Sequence, residues 1–195
     1  MSAVPKRRLT AEEYLAQERL ASFKSEFYQG EVFAMAGASY EHNQVKENLV
    51  FELRSRLKDG PCRPYSSDFR VHVPRTTLFT YPDIVIICNK PEFTDDHLDV
   101  LLNPVVIVEV LSESTEKYDR GIKFQQYQQI SSLKEYILVS QHEPRIECYV
   151  RQANDKWLLT NYVGLSAQLI VNAVKITIPL QAIYDGVELP AEPID

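Results

Sequence analysis

The chain has 195 residues, 45% of them hydrophobic and 25% charged, with a formal net charge of -6 at pH 7. This is an ordinary soluble globular composition at a length that closes one large core, so no exotic class is called for. The acidic balance excludes a protein whose whole surface is a nucleic-acid footprint, because non-specific affinity comes mainly from Lys and Arg neutralising phosphates.

Two local groups, Lys6, Arg7 and Arg8 and then Arg54, Arg56, Lys58, Arg63, Arg70 and Arg75, are candidate basic faces, although the overall charge balance favours a mixed solvated surface. No window approaches the roughly 18 apolar residues of a membrane span, and the start Met-Ser-Ala-Val-Pro-Lys-Arg-Arg lacks the apolar core of a signal peptide. The expected location is the cytoplasm. Cys62, Cys88 and Cys148 are odd in number, widely spaced and without a Cys-x-x-Cys pair, which indicates neither a disulfide framework nor a thiolate zinc site. His42, His72, His97 and His142 are equally scattered.

Thr10 followed by Glu13 is a capping-box signature, and Tyr14, Leu15 and Leu20 give apolar support to a helix over about 10–19. Residues 26–35 read as two short strands around Gln29-Gly30. Val45, Leu49, Leu53 and Leu57 recur every four residues and predict a helix over 42–58, stopped by Asp59-Gly60-Pro61. Three strand-like runs follow at 65–73, 81–88 and 105–111, with a solvated acidic loop at 92–99 between the last two. The runs 81–88 and 105–111 are nearly continuous in Ile and Val, as in central strands covered on both faces. Ser114 or Thr115 then caps a helix to about 130, and strands are expected at 135–140, 145–150, 157–163 and 175–179. From the 42–58 helix onward the order is αβββαβ.

The chemistry lies in the second and third runs, where Asp83 stands in Tyr-Pro-Asp-Ile-Val-Ile-Ile and Glu109 in Pro-Val-Val-Ile-Val-Glu-Val-Leu. An ionised carboxylate inside an apolar strand costs several kcal/mol unless a cation or donor meets it. Adjacent central strands in matching register would bring the two together, and hard oxygen ligands of this kind suit Mg²⁺ or Mn²⁺ with a phosphodiester substrate. Lys123 follows Asp119 by four residues on the next helix, so both project from one face; taken alone, the pair also reads as a surface ion pair.

The ordered set Tyr81-Pro82-Asp83, Val108-Glu109-Val110-Leu111-Ser112, Asp119-Arg120-Gly121-x-Lys123-x-x-x-Tyr127 and Glu135-Tyr136 resembles the Uma-two family of restriction-endonuclease-like proteins, within the PD-(D/E)XK nuclease superfamily. Glu26-Phe27-Tyr28-Gln29-Gly30-Glu31 and Ala36-Gly37-Ala38-Ser39 before His42 agree with it, and the match covers about 10–185. The resemblance implies an α/β fold, a restriction-endonuclease-like αβββαβ core with a central mixed sheet, plus an N-terminal helix and hairpin and C-terminal strands. One domain over 1–195 is expected, with its core at about 41–140 and additions at 10–36 and 145–185.

The resemblance also implies that Asp83 and Glu109 are metal ligands and that Lys123 is the catalytic lysine. The superfamily's usual lysine position, two residues after the glutamate, holds Leu111, and Lys123 is placed to reach the same site from the helix. Glu31 is a candidate outer ligand through water, and His42 a candidate contact to phosphate or metal; structural roles for both stay open. Tyr127 reads as core packing from its helical spacing, and Ser112 as support for the strand-to-helix turn.

The implied activity is that of a Mg²⁺-dependent (or Mn²⁺-dependent) endonuclease hydrolysing DNA phosphodiester bonds, with a homodimer as a further expectation. The alternative is a dimeric nuclease-fold module that binds or regulates without turnover, which the acidic net charge favours. A hydrolase of smaller phosphates ranks last, since no Gly-rich nucleotide loop is present.

Overall fold

The computed structural model describes residues 7–66 and 68–189. Thr10 closes the expected capping box on helix α1 (Ala11–Glu18), accepting from the Glu13 amide at 3.1 Å while Glu13 accepts from the Thr10 amide at 3.0 Å. Strands β1 (Ser25–Tyr28) and β2 (Glu31–Ala34) form an antiparallel hairpin. Its two-residue turn needs positive φ, met at 49° by Gln29 and 87° by Gly30. A Cβ on Gly30 would lie 2.6 Å from Arg8 Cβ, so glycine is required there on both counts. Helix α2 (Tyr40–Leu57) is capped by Ser39, and the expected stripe of Val45, Leu49, Leu53 and Leu57 is buried.

Strands β3 (Cys62–Ser66), β4 (Arg70–Val73), β5 (Leu78–Thr80), β6 (Ile84–Cys88), β7 (Val100–Leu101) and β8 (Val106–Leu111) follow. Helix α3 (Glu116–Tyr118), a π-helical turn at Asp119–Lys123 and helix α4 (Phe124–Tyr127) cross to β9 (Glu135–Ser140). The chain closes with β10 (Arg145–Arg151), β11 (Trp157–Val163), β12 (Gln168–Val171), β13 (Ile176–Pro179) and α5 (Leu180–Ile183).

A six-stranded sheet has the order β11-β10-β9-β8-β6-β3, and a five-stranded sheet the order β2-β1-β5-β4-β7. In the larger sheet only β8 and β9 run parallel, so it is mixed, and the α3 to α4 crossover supplies the connection that a parallel pair requires. The expected αβββαβ order is realised by α2, β3, β6, β8, the α3 to α4 segment and β9. Val106, Val108 and Val110 of β8 pack towards α2 with Ile84, Ile86, Val45 and Leu49. Ile107 and Leu111 pack on the other face with Val71, Leu78, Phe124 and Tyr127. Burial on both faces explains the uninterrupted Ile and Val runs, and alternation along β8 sets Glu109 on the second face, between Ile107 and Leu111.

Several expectations need correction. The 65–73 run is two strands in different sheets, and 81–88 begins as a strand only at Ile84, because Pro82 cannot donate to a ladder. The helix expected to reach 130 is broken by the π-helical turn and ends at Tyr127. The acidic run is not wholly solvated: Asp99 takes Arg19 at 2.9 Å and Arg70 at 2.8 Å, and Asp95 takes Arg19 at 2.7 Å. Cys62 and Cys88, which sequence spacing left unpaired, are joined in a disulfide, because β3 and β6 put them directly opposite each other. Strands β5, β7 and β12 and helix α5 were not expected. Among the described residues no helix is long and apolar enough to cross a membrane.

Candidate active site

Asp83 sits one residue before β6, held out of the ladder by Pro82, and Glu109 projects from the middle of β8. Because β6 and β8 are antiparallel neighbours with Ile84 opposite Val108, the two carboxylates meet. The Asp83 amide donates to Glu109 Oε2 at 3.3 Å, and the Val110 amide donates to Asp83 Oδ2 at 2.8 Å. His42, in the first turn of α2, places Nε2 3.2 Å from that same Asp83 oxygen.

The π-helical turn supplies the opposite wall. Lys123 Nζ lies 2.9 Å from Glu109 Oε1, 3.4 Å from Asp119 Oδ1 and 3.4 Å from Glu26 Oε1. Tyr127 donates its hydroxyl to Glu109 Oε1 at 2.9 Å, and Tyr136 donates to the Asp119 carbonyl at 3.1 Å. A π-helical turn carries one residue more than an α-turn and is frequent at functional sites. Glu109, Asp119 and Lys123 are no more than 5% exposed, so Asp119 and Lys123 are not a surface ion pair.

Burial and crowding with like charge set the electrostatics. Desolvation raises the Glu109 carboxyl to about 8, against the pull of Lys123 and with the help of Asp119 and Asp83. Burial likewise raises Asp119. Lys123 is disfavoured as a cation by its burial, yet the carboxylates around it, Glu109 foremost, hold its proton well above the ordinary lysine range. Beneath the common effect of burial, three carboxylates, Glu109, Asp119 and Glu26, gather about one ammonium with Asp83 beside Glu109, and the cluster therefore favours added positive charge.

The donor set fits a hard divalent cation. Among the described residues no three His, Cys, Asp or Glu side chains form a ready-made metal cage. Mg²⁺ needs none, since it is commonly held by one or two carboxylates with waters and substrate phosphate. Asp83 Oδ2 accepts from the Val110 amide, and Asp119 Oδ1 is buried with the Lys123 ammonium 3.4 Å away. Asp83 and Glu109 are the residues that would hold the ion.

The structure brings together Asp83, Glu109, Lys123 and His42, as the sequence suggests. Glu31 is exposed on β2 opposite Tyr28. The hairpin carboxylate that does enter is Glu26, whose Oε2 accepts from Tyr118 at 3.1 Å and whose Oε1 accepts from the Thr80 hydroxyl. Sequence reasoning missed Glu26, Thr80 and Tyr118. The available signal was an acid within Ser25-Glu26-Phe27-Tyr28, the same anomaly that marks Glu109 in β8. Tyr127 is fully buried, as packing requires, but it also touches Glu109. Ser112 supports the turn as expected, accepting from the Thr115 amide at 3.3 Å.

A mixed sheet in this αβββαβ order, with two carboxylates meeting across its adjacent central strands, defines a restriction-endonuclease-like nuclease fold. The chain belongs to the Uma2 family, whose model, described as "Putative restriction endonuclease", matches residues 11–181. It is similar to two Synechocystis sp. proteins, "Uncharacterized protein sll1609", 39% identical over 86% of this chain and 95% of that protein, and "Uncharacterized protein slr1290", 32% identical over 94% and 95%. The fold is also that of a crystal structure described as "a putative nuclease belonging to DUF820" from Anabaena variabilis ATCC 29413. That likeness has a TM-score of 0.73 at 14% identity and covers 90% of this chain and 97% of the other.

Proposed function

We propose that the protein is a Mg²⁺-dependent or Mn²⁺-dependent endonuclease that hydrolyses DNA phosphodiester bonds. The observation that carries this reading is the meeting of Asp83 and Glu109 beside a buried lysine, in a cluster with an excess of negative charge. Family membership supports the nuclease class, and with it the reading of DNA as the substrate.

A divalent ion bound by Asp83 and Glu109 would polarise the phosphoryl group and balance charge on the leaving oxygen. Lys123 keeps its proton under the pull of its carboxylates, so it acts as a donor rather than as a base. It orients the attacking water and stabilises charge developing on the phosphoryl oxygens. Tyr127 and the Asp83 amide fix the two Glu109 oxygens. His42 steadies Asp83 from α2.

The deciding experiment is cleavage of supercoiled plasmid and single-stranded DNA with Mg²⁺ or Mn²⁺, with Glu109→Ala in parallel. Metal-dependent nicking lost in the variant establishes the activity and its site. A folded wild type that binds metal without cutting would instead favour the second reading, a binding or regulatory module. One observation favours that reading: Lys123 already neutralises Glu109 at 2.9 Å. A homodimer belongs to either reading, and its natural seam is β11, an edge strand of the six-stranded sheet whose seven residues carry no charge.

A further inference from the structure

We propose that Glu26 is a positioning residue that fixes the direction in which Lys123 presents its ammonium group to Glu109. The proposal rests on the reading of Lys123 as the cation of a nuclease site.

A lysine ammonium has three donors on a long flexible stem, so its direction is set by its acceptors. Here three carboxylates surround it, and they come from three separate elements: Glu109 from β8, Asp119 from the π-helical turn and Glu26 from β1. Asp119 shares a helical segment with Lys123 and moves with it. Glu26 alone ties the ammonium to the N-terminal hairpin.

Glu26 is itself held. It is 8% exposed, and its two oxygens accept from the hydroxyls of Thr80 and Tyr118, which lie at the end of β5 and just before the π-helical turn. Thr80 is only three residues from Asp83, so the same short segment fixes the Glu26 carboxylate and delivers a candidate metal ligand. Glu26 makes no hydrogen bond to Asp83 or His42; its route to the chemistry is through Lys123. The hairpin is therefore part of the site rather than an addition to the core.

The test uses the full chain on supercoiled plasmid with Mg²⁺, comparing Glu26→Gln, Glu26→Asp and Tyr118→Phe with Lys123→Ala. Glu26→Gln is expected to lower kcat by about tenfold to a hundredfold with KM for plasmid unchanged, and Glu26→Asp to restore part of the loss. A second readout needs neither metal nor activity: reductive methylation of Lys123, followed by peptide mass spectrometry, should be slow in the wild type and severalfold faster in Glu26→Gln. Wild-type kcat and wild-type methylation in Glu26→Gln, with Lys123→Ala inactive, would overturn the proposal and leave the nuclease reading standing. If the wild type itself cuts nothing, that reading falls, and an unchanged methylation rate then overturns the role of Glu26 as well. Should Glu26→Gln fail to fold, Tyr118→Phe takes its place, and wild-type behaviour by both measures there overturns the proposal.

Discussion

Lys123 and Tyr127 converge on a single atom: the ammonium and the phenolic hydroxyl each lie 2.9 Å from Glu109 Oε1. The lysine brings charge to that oxygen and the tyrosine brings direction. Tyr127→Phe keeps the ring packing and removes one donor, so it should cost about 1 kcal/mol of stability by thermal or urea unfolding. Plasmid nicking should persist in this variant at a severalfold lower rate. Nicking that disappears altogether would mean that the hydroxyl takes part in the reaction.

Lys123→Ala removes the ammonium that pairs with the buried carboxylates Glu109, Asp119 and Glu26. Breaking a buried pair in this way costs about 3 to 5 kcal/mol, and for a chain of this size that lowers Tm by on the order of 10 °C. Cleavage should be lost in samples that remain folded. A variant with wild-type Tm would show that the carboxylates simply take up protons.

Substitution of the candidate ligands should act in the opposite sense on stability. Asp83→Asn and Glu109→Gln each replace a carboxyl of the crowded cluster by a neutral amide of the same shape, so the metal-free proteins should melt at or above the wild-type temperature while cutting nothing. Mg²⁺ should raise the wild-type Tm and leave that of either variant unmoved, since only a ligand that binds the folded state stabilises it. A full Mg²⁺ shift in Glu109→Gln would place the ion elsewhere.

His72 gives a pH dependence of its own. It lies on β4 opposite Phe79, its ring stacked on that ring with centroids 3.9 Å apart and planes 8° apart. Burial lowers its pKa from 6.5 to about 4. The folded state thus binds the proton less tightly than the unfolded chain. The stability His72 contributes is fully present above pH 6.5 and is lost as the pH falls towards 4. Because the ring is only partly shielded from solvent, the loss should be about 1 kcal/mol rather than the whole shift. Urea unfolding of His72→Phe across that range should show a flatter profile than the wild type.

The Cys62–Cys88 bond closes a loop with a sequence separation of 26 residues. On chain entropy its loss should cost about 3 to 4 kcal/mol. Non-reduced protein should carry one titratable thiol, that of Cys148, after denaturation. Three thiols in oxidised preparations would show that the bond does not form.

The sequence made the central strands and their acids legible for a physical reason. Charged residues inside Ile and Val runs are costly, and Asp83 and Glu109 stand out against that cost. Glu26 carried the same anomaly in a strand too short, with Ser25 and Tyr28 beside it, for the contrast to register. The end of β3 at Ser66 and the start of β4 at Arg70 were hidden because both halves of the 65–73 run are strand-forming, and only the sheets they join tell them apart. Cys62 and Cys88 needed the β3 to β6 register, a long-range property absent from spacing. The π-helical turn was invisible to a reading that assumes 3.6 residues per turn, yet that reading still paired Asp119 with Lys123 correctly.

That turn also fixes how related sequences can vary in length. With one residue more than an α-turn packed between Asp119 and Phe124, a deletion or insertion there would swing everything downstream by about 100° about the helix axis. Tyr127 would leave Glu109, and Phe124 would leave its stack on Tyr136. Substitutions can accumulate at Ile122, which is 54% exposed, but gaps cannot. In an alignment of homologues that retain the site, this five-residue stretch should be among the most gap-free parts of the chain, even where its letters differ.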